Sequence, residues 1–139
     1  MDRAAFEHSL RGAQQFGRLA PVPECYYWEG YQRGIRRAFH GENFGTAEEH
    51  ATWSSLAEND PDYSRALRGI GYRAGCAGLS IEHAVGHAVL HSVQLSLSLT
   101  NRAMAKRLGQ TERSVEQYRQ GKRAIGIPVL VILRQLADS

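Results

Sequence analysis

Apolar positions along this chain recur at helical spacing and nowhere alternate at a period of two. Ala5, Phe6, Leu10, Ala13 and Phe16 mark one face of a helix over 4–19, stopped by Pro21 and Pro23. A second clear face, Ile81, Val85, Ala88, Val89 and Val93, predicts a helix from the cap Ser80 to about Leu97. Two shorter patterns follow, each opened by a hydroxyl. One runs from Thr100 to Leu108-Gly109, the other from Thr111 to Gly121-Lys122-Arg123. Pro128 suits the first turn of a last helix, 128–137, with Val129, Leu130, Leu133 and Leu136 turned inward. Between 24 and 78 the pattern is less regular, with helical stretches near 25–39 and 64–78. A loop (Gly41 to Gly45) and a short helix separate them; Thr46 and Glu49 form its capping box, and Asn59 to Asp62 ends it. The expected fold class is all-α. A small N-terminal helical unit, 1–78, packs on a C-terminal unit, 79–139.

The irregular region carries a repeat. GYQRG, Gly30 to Gly34, returns as GYRAG, Gly71 to Gly75. In each copy the two glycines share one helix face. A glycine inside a helix costs about 1 kcal/mol relative to alanine, so a paired glycine face implies that another backbone packs against it. The two helices are therefore expected to cross at their glycine faces. Beside the first copy, Tyr26, Tyr27 and Trp28 are consecutive and cannot all face one side of a helix. Core of the N-terminal unit is the favoured place for these aromatics, with at least one at an interface. With Arg33 and Arg37, Tyr26, Tyr27 and Trp28 form a candidate partner-binding surface, giving the unit a role in dimerisation or partner contact. The Arg-rich GY-x-x-G pair with aromatics between resembles ribosome modulation factor-like small proteins over residues 25–78. That resemblance implies a ribosome-associated factor.

Composition narrows the picture. At 139 residues the chain suits one compact domain or two small units. The longest apolar run, Ala124 to Leu133, is too short for a bilayer and contains Pro128, and MDRAAFEHSLRG has no apolar signal core. A cytoplasmic protein with no membrane partner is expected. Cys25 and Cys76 make no CxxC motif and read as buried thiols. Residues 1–79 hold nine Lys and Arg against ten Asp and Glu; residues 80–139 hold eight against four. Positive charge gathered in the C-terminal unit favours a polyanionic partner.

Two short helices joined by a tight turn, with basic residues just after the second, are the layout of a helix-turn-helix. Thr100 and Thr111 are caps, Ala105 lets the helices approach, and Leu108 and Val115 bury the inner corner. Met104 and Tyr118 extend the apolar seam, and Gly109 permits the turn. In order and spacing these residues, with Leu99, Ser114, Gly121, Lys122 and Arg123, resemble the Cro/repressor-type (lambda repressor-like) DNA-binding family. The resemblance implies duplex DNA as partner, a homodimer and a role as a small transcriptional repressor. It places Glu112, Arg113, Glu116 and Gln117 toward bases, and Arg102, Lys106, Thr111, Arg119, Lys122 and Arg123 toward phosphates. Two carboxylates on the reading helix, Glu112 and Glu116, repel phosphate. They leave open an alternative, a phage- or plasmid-type inhibitor (anti-CRISPR-like) that binds a protein or nucleoprotein complex.

Other chemistry is sparse. His83, His87 and His91 recur every four residues, but the outer two lie roughly 12 Å apart on a helix rising 1.5 Å per residue, so no single ion takes all three. They are expected to form a polar face packed on the N-terminal unit, not a metal site. His40, Glu42, Glu48, Glu49 and His50 come with no nucleophile motif and no phosphate loop. No catalytic site, cofactor or metal is expected.

Overall fold

The structure, a computed structural model, describes residues 1–138. Among them are eight α-helices and no strand, as the helical periodicity predicts. They are α1 (Arg3–Leu19), α2 (Glu24–His40), α3 (Ala47–Ser54), α4 (Tyr63–Cys76), α5 (Ile81–Ser96), α6 (Asn101–Leu108), α7 (Glu112–Arg119) and α8 (Ile127–Ala137). The chain divides into two compact units, Met1–Ile81 and a second beginning at Glu82.

In the first unit α2 is the central helix, and the glycine repeat explains how it is seated. A methyl group added at Gly30 would fall on the Arg68 carbonyl oxygen and 2.9 Å from the Tyr72 nitrogen. One added at Gly71, 41 positions on, would fall on the Tyr27 carbonyl oxygen and 2.9 Å from the Tyr31 nitrogen. Gly34 and Gly75 repeat the relation: their added methyls would lie 2.9 Å from the Cys76 nitrogen and 2.7 Å from the Ile35 nitrogen. Every neighbour of one glycine is the equivalent, in the other copy, of a neighbour of its mate. The crossing is reciprocal, as a local two-fold requires, and α2 and α4 meet backbone to backbone.

The opposite side of α2 is covered by α1. Phe16 stacks on Trp28 (5.1 Å between centroids), and Phe6 stacks on Phe39 (4.3 Å). Trp28 donates its indole N–H to the buried Glu24 carboxylate (3.2 Å), and the Tyr31 hydroxyl donates to the Leu79 carbonyl (2.6 Å). With both flanks of α2 occupied, Tyr27, Trp28 and Tyr31 are all fully buried.

This corrects the expected partner-binding surface. Tyr27 and Trp28 are core. Tyr26 is half-buried, with the Arg68 guanidinium 4.9 Å over its ring. Arg33 lies 4.8 Å over Trp53 and 5.6 Å over Phe44, and pairs with Glu49 at 3.3 Å. Arg37 donates to the Phe44 carbonyl (3.1 Å). Together with Arg73, which donates to the Ser54 and Leu56 carbonyls (3.2 and 2.6 Å), these arginines fasten the 41–56 segment onto α2 and α4. A guanidinium offers five donors in a fixed fork, so it can satisfy loop carbonyls that no helix ladder reaches.

In the second unit, Val89, Leu90 and Val93 from α5 meet Met104, Ala105 and Leu108 from α6. Val115 and Tyr118 from α7 and Val129 and Leu133 from α8 close the core. Leu130 and Leu136, expected to face inward, are half-buried at its edge.

Alanine at Gly71 or Gly75 tests the crossing by sign. Helix propensity alone would stabilise either variant by about 1 kcal/mol. Overlap with a backbone carbonyl that cannot rotate away should outweigh this and give a net loss on the order of 1–3 kcal/mol. Urea unfolding should show both midpoints falling; a rise in either would mean that the helices do not meet there.

Candidate nucleic-acid interface

Local chemistry sets the geometry of residues 100–123. The Thr100 hydroxyl accepts from the Ala103 N–H (3.1 Å) and starts α6. Gly109 ends it at φ 63°, ψ 34°, and the Gln110 N–H returns to the Ala105 carbonyl (3.0 Å). That left-handed residue followed by a six-to-one bond is how a helix stops and turns sharply. Two residues later Thr111 caps α7 by accepting from the Ser114 N–H (3.1 Å). A second such stop follows α7, with the Lys122 N–H on the Gln117 carbonyl (3.0 Å).

Ser114, Val115 and Tyr118 are buried, so the other side of α7 faces out. Glu112, Arg113 and Glu116 are exposed there, and Gln117 is half-buried. Arg102, Lys106 and Arg107 on α6 and Lys122 after α7 are also exposed. Of the positions the repressor-like pattern assigns to DNA, Arg102, Lys106, Arg113 and Lys122 are thus open cations. Arg107, which sequence reasoning passed over, is a fifth.

Three phosphate candidates are placed differently. The Thr111 hydroxyl, besides capping, donates to Ser114 Oγ (2.9 Å). Arg123 donates to the same Ser114 Oγ (2.8 Å) and lies 5.3 Å over Tyr118. Arg119 is half-buried and donates to Gln94 Oε1 (2.7 Å), whose amide nitrogen donates to Asn101 Oδ1 (2.8 Å). This chain ties α7, α5 and α6 together, so Arg119 positions the helix instead of reaching outward.

Two of the three histidines in the series tie α5 to α7. His87 and His91 are buried within the second unit, and both Nε2 atoms meet the Arg119 carbonyl, at 2.9 and 3.0 Å. A carbonyl can only accept, so both rings carry their proton on Nε2. One carbonyl at the C-terminal end of α7 thus receives two side-chain donors from α5. The i, i+4 spacing was visible in the sequence; the carbonyl, 28 and 32 residues away, was not. Among the described residues no three His, Cys, Asp or Glu side chains gather into a metal-sized group.

Burial, the largest influence, drives His87 down to about 4 from its ordinary 6.5; His83 and the Arg119 cation act in the same direction, and the bond to the Arg119 carbonyl opposes them. The folded value is the lower one, so between the two values the unfolded chain binds more protons. This contribution is complete above pH 6.5 and is lost as pH falls toward 4, on the order of 3 kcal/mol in all. Unfolding free energies measured from pH 7.5 to 4 should decline through that window, and His87→Gln should flatten the decline. A variant as steep as the parent would remove His87 as its source. No helix among the described residues is long and apolar enough to cross a membrane. No family model, curated protein or solved structure matches the chain.

Proposed function

We propose that residues 100–123 bind duplex DNA with α7 in the major groove, and that the protein is a cytoplasmic transcriptional repressor acting as a homodimer. The observation that carries this reading is the state of its cations. Arg102, Lys106, Arg107, Arg113 and Lys122 are all exposed. Among the described residues no side chain pairs with any of them, whereas Arg119 and Arg123, which support α7, are both hydrogen-bonded. Cations flanking and leading a helix suit phosphates on either side of a groove, and Arg113, in the first turn of α7, suits a bidentate contact to guanine.

One observation favours a second reading. Glu112 and Glu116 are exposed on the same helix and likewise take no side-chain partner among the described residues. In a phage- or plasmid-type inhibitor they would occupy Arg and Lys sites of a nucleoprotein complex that otherwise hold nucleic acid.

Gel shifts at two salt concentrations separate the two. As a repressor, the protein shifts duplex DNA. Lys122→Ala weakens all sequences alike and lowers the log–log salt slope by about 0.9. Arg113→Ala lowers specific affinity, relaxing preference at one base pair by roughly 1–3 kcal/mol. Glu112→Gln with Glu116→Gln leaves general affinity equal or higher. A parent that shifts no DNA at low salt, with a double glutamine variant that does no better, would contradict the repressor reading.

A further inference from the structure

Between α1 and α2 lies an open groove of about 680 Å³, within the range of small-molecule sites (about 300–1,000 Å³). Its lining is polar and cationic: Arg18 with Gln14 from α1, and Arg33 and Arg36 with Gln32 and Tyr26 from α2. Gly17 also lines it, and an added methyl there would stand 3.3 Å from the Gln32 side-chain nitrogen.

The arginines of this unit fall into two groups. Arg3, Arg33, Arg65 and Arg68 pair with carboxylates, and Arg37 and Arg73 donate to carbonyls. Among the described residues Arg11, Arg18 and Arg36 have neither kind of partner. Two of these three line the groove, and Arg36 is half-buried there without one. The groove's one carboxylate, Glu29, is engaged by Arg68 at 3.1 Å. The groove therefore holds a surplus of two positive charges that the fold does not use. Guanidinium groups with free donors bind phosphate in bidentate fashion, and the Gln amides and Tyr26 offer hydrogen bonds to a polar remainder.

We propose that this groove is a binding site for a phosphate-bearing small molecule of mononucleotide size. The proposal does not depend on the DNA-binding reading, because none of these residues belongs to α6 or α7. It gives the N-terminal unit a ligand, where burial takes Tyr27 and Trp28 out of the expected partner surface.

Calorimetric titration of the full chain with AMP, adenosine, inorganic phosphate and a ten-nucleotide RNA tests it. AMP should bind, adenosine much more weakly, and inorganic phosphate should compete with AMP. Arg18→Ala and Arg36→Ala should each weaken AMP by about tenfold, while Arg11→Ala, the unpaired arginine outside the groove, should not. AMP should also slow alkylation of Cys25, which lines the groove, and leave that of Cys76 unchanged. Absence of AMP binding at millimolar concentration, equal loss in Arg11→Ala, or binding of the RNA but not of AMP would each overturn the proposal.

Discussion

The first unit depends on one constraint: two helix backbones in contact. Where α2 meets α4 there is no space for a Cβ at Gly30, Gly34, Gly71 or Gly75, and the nearest atoms are backbone, which cannot step aside. Everything else follows from that approach. With α4 seated flush on one side, the large side chains of α2 fill what remains, and Phe16 of α1 closes over Trp28. The 41–56 segment contributes apolar side chains that are at most half-buried, among them Trp53 beside Tyr72, and arginine forks on its carbonyls help hold it in place.

The second unit is ordered by polar ties around a small apolar core. The Arg119 carbonyl is gripped by two histidines, and the Arg119 side chain continues through Gln94 to Asn101. These bonds come from α5 and α6 and fix the end of α7, so the exposed side of α7 is held by groups that are buried or half-buried. A helix meant to present side chains to a rigid partner benefits from such support, since error in the helix axis becomes error at every contact. Hydrogen bonding of Arg119 and Arg123 within the unit also leaves Arg102, Lys106, Arg107, Arg113 and Lys122 as the outward cations without a side-chain partner among the described residues.

Much of this was legible in the sequence wherever the cause is local. The caps Thr46, Thr100 and Thr111 accept the bonds their positions predict. The glycine repeat announced the crossing because four unfavourable residues at matched spacing need a common reason. What sequence could not supply was the identity of distant partners. Three adjacent aromatics cannot share one face, so at least one of Tyr26, Tyr27 and Trp28 is expected at an interface; which ones are core is decided by the cover on two faces of α2, which only tertiary structure supplies. Arg33 and Arg37 looked free because their partners are aromatic rings and a carbonyl in the 44–53 segment. The same holds for the histidines: their spacing was plain, but backbone carbonyls leave no mark in a sequence. The ribosome-factor resemblance rested on the GY-x-x-G pair, and the crossing accounts for both copies.

The central claim is that the outward side of α6 and α7 meets duplex DNA. Amide chemical-shift mapping during titration of the full chain with a short duplex at low salt tests it most directly. The account predicts that shifts concentrate at 100–107, 111–117 and 121–123, with α1 and α2 unmoved. Shifts confined to α1 and α2, or none anywhere at saturating duplex, would contradict it.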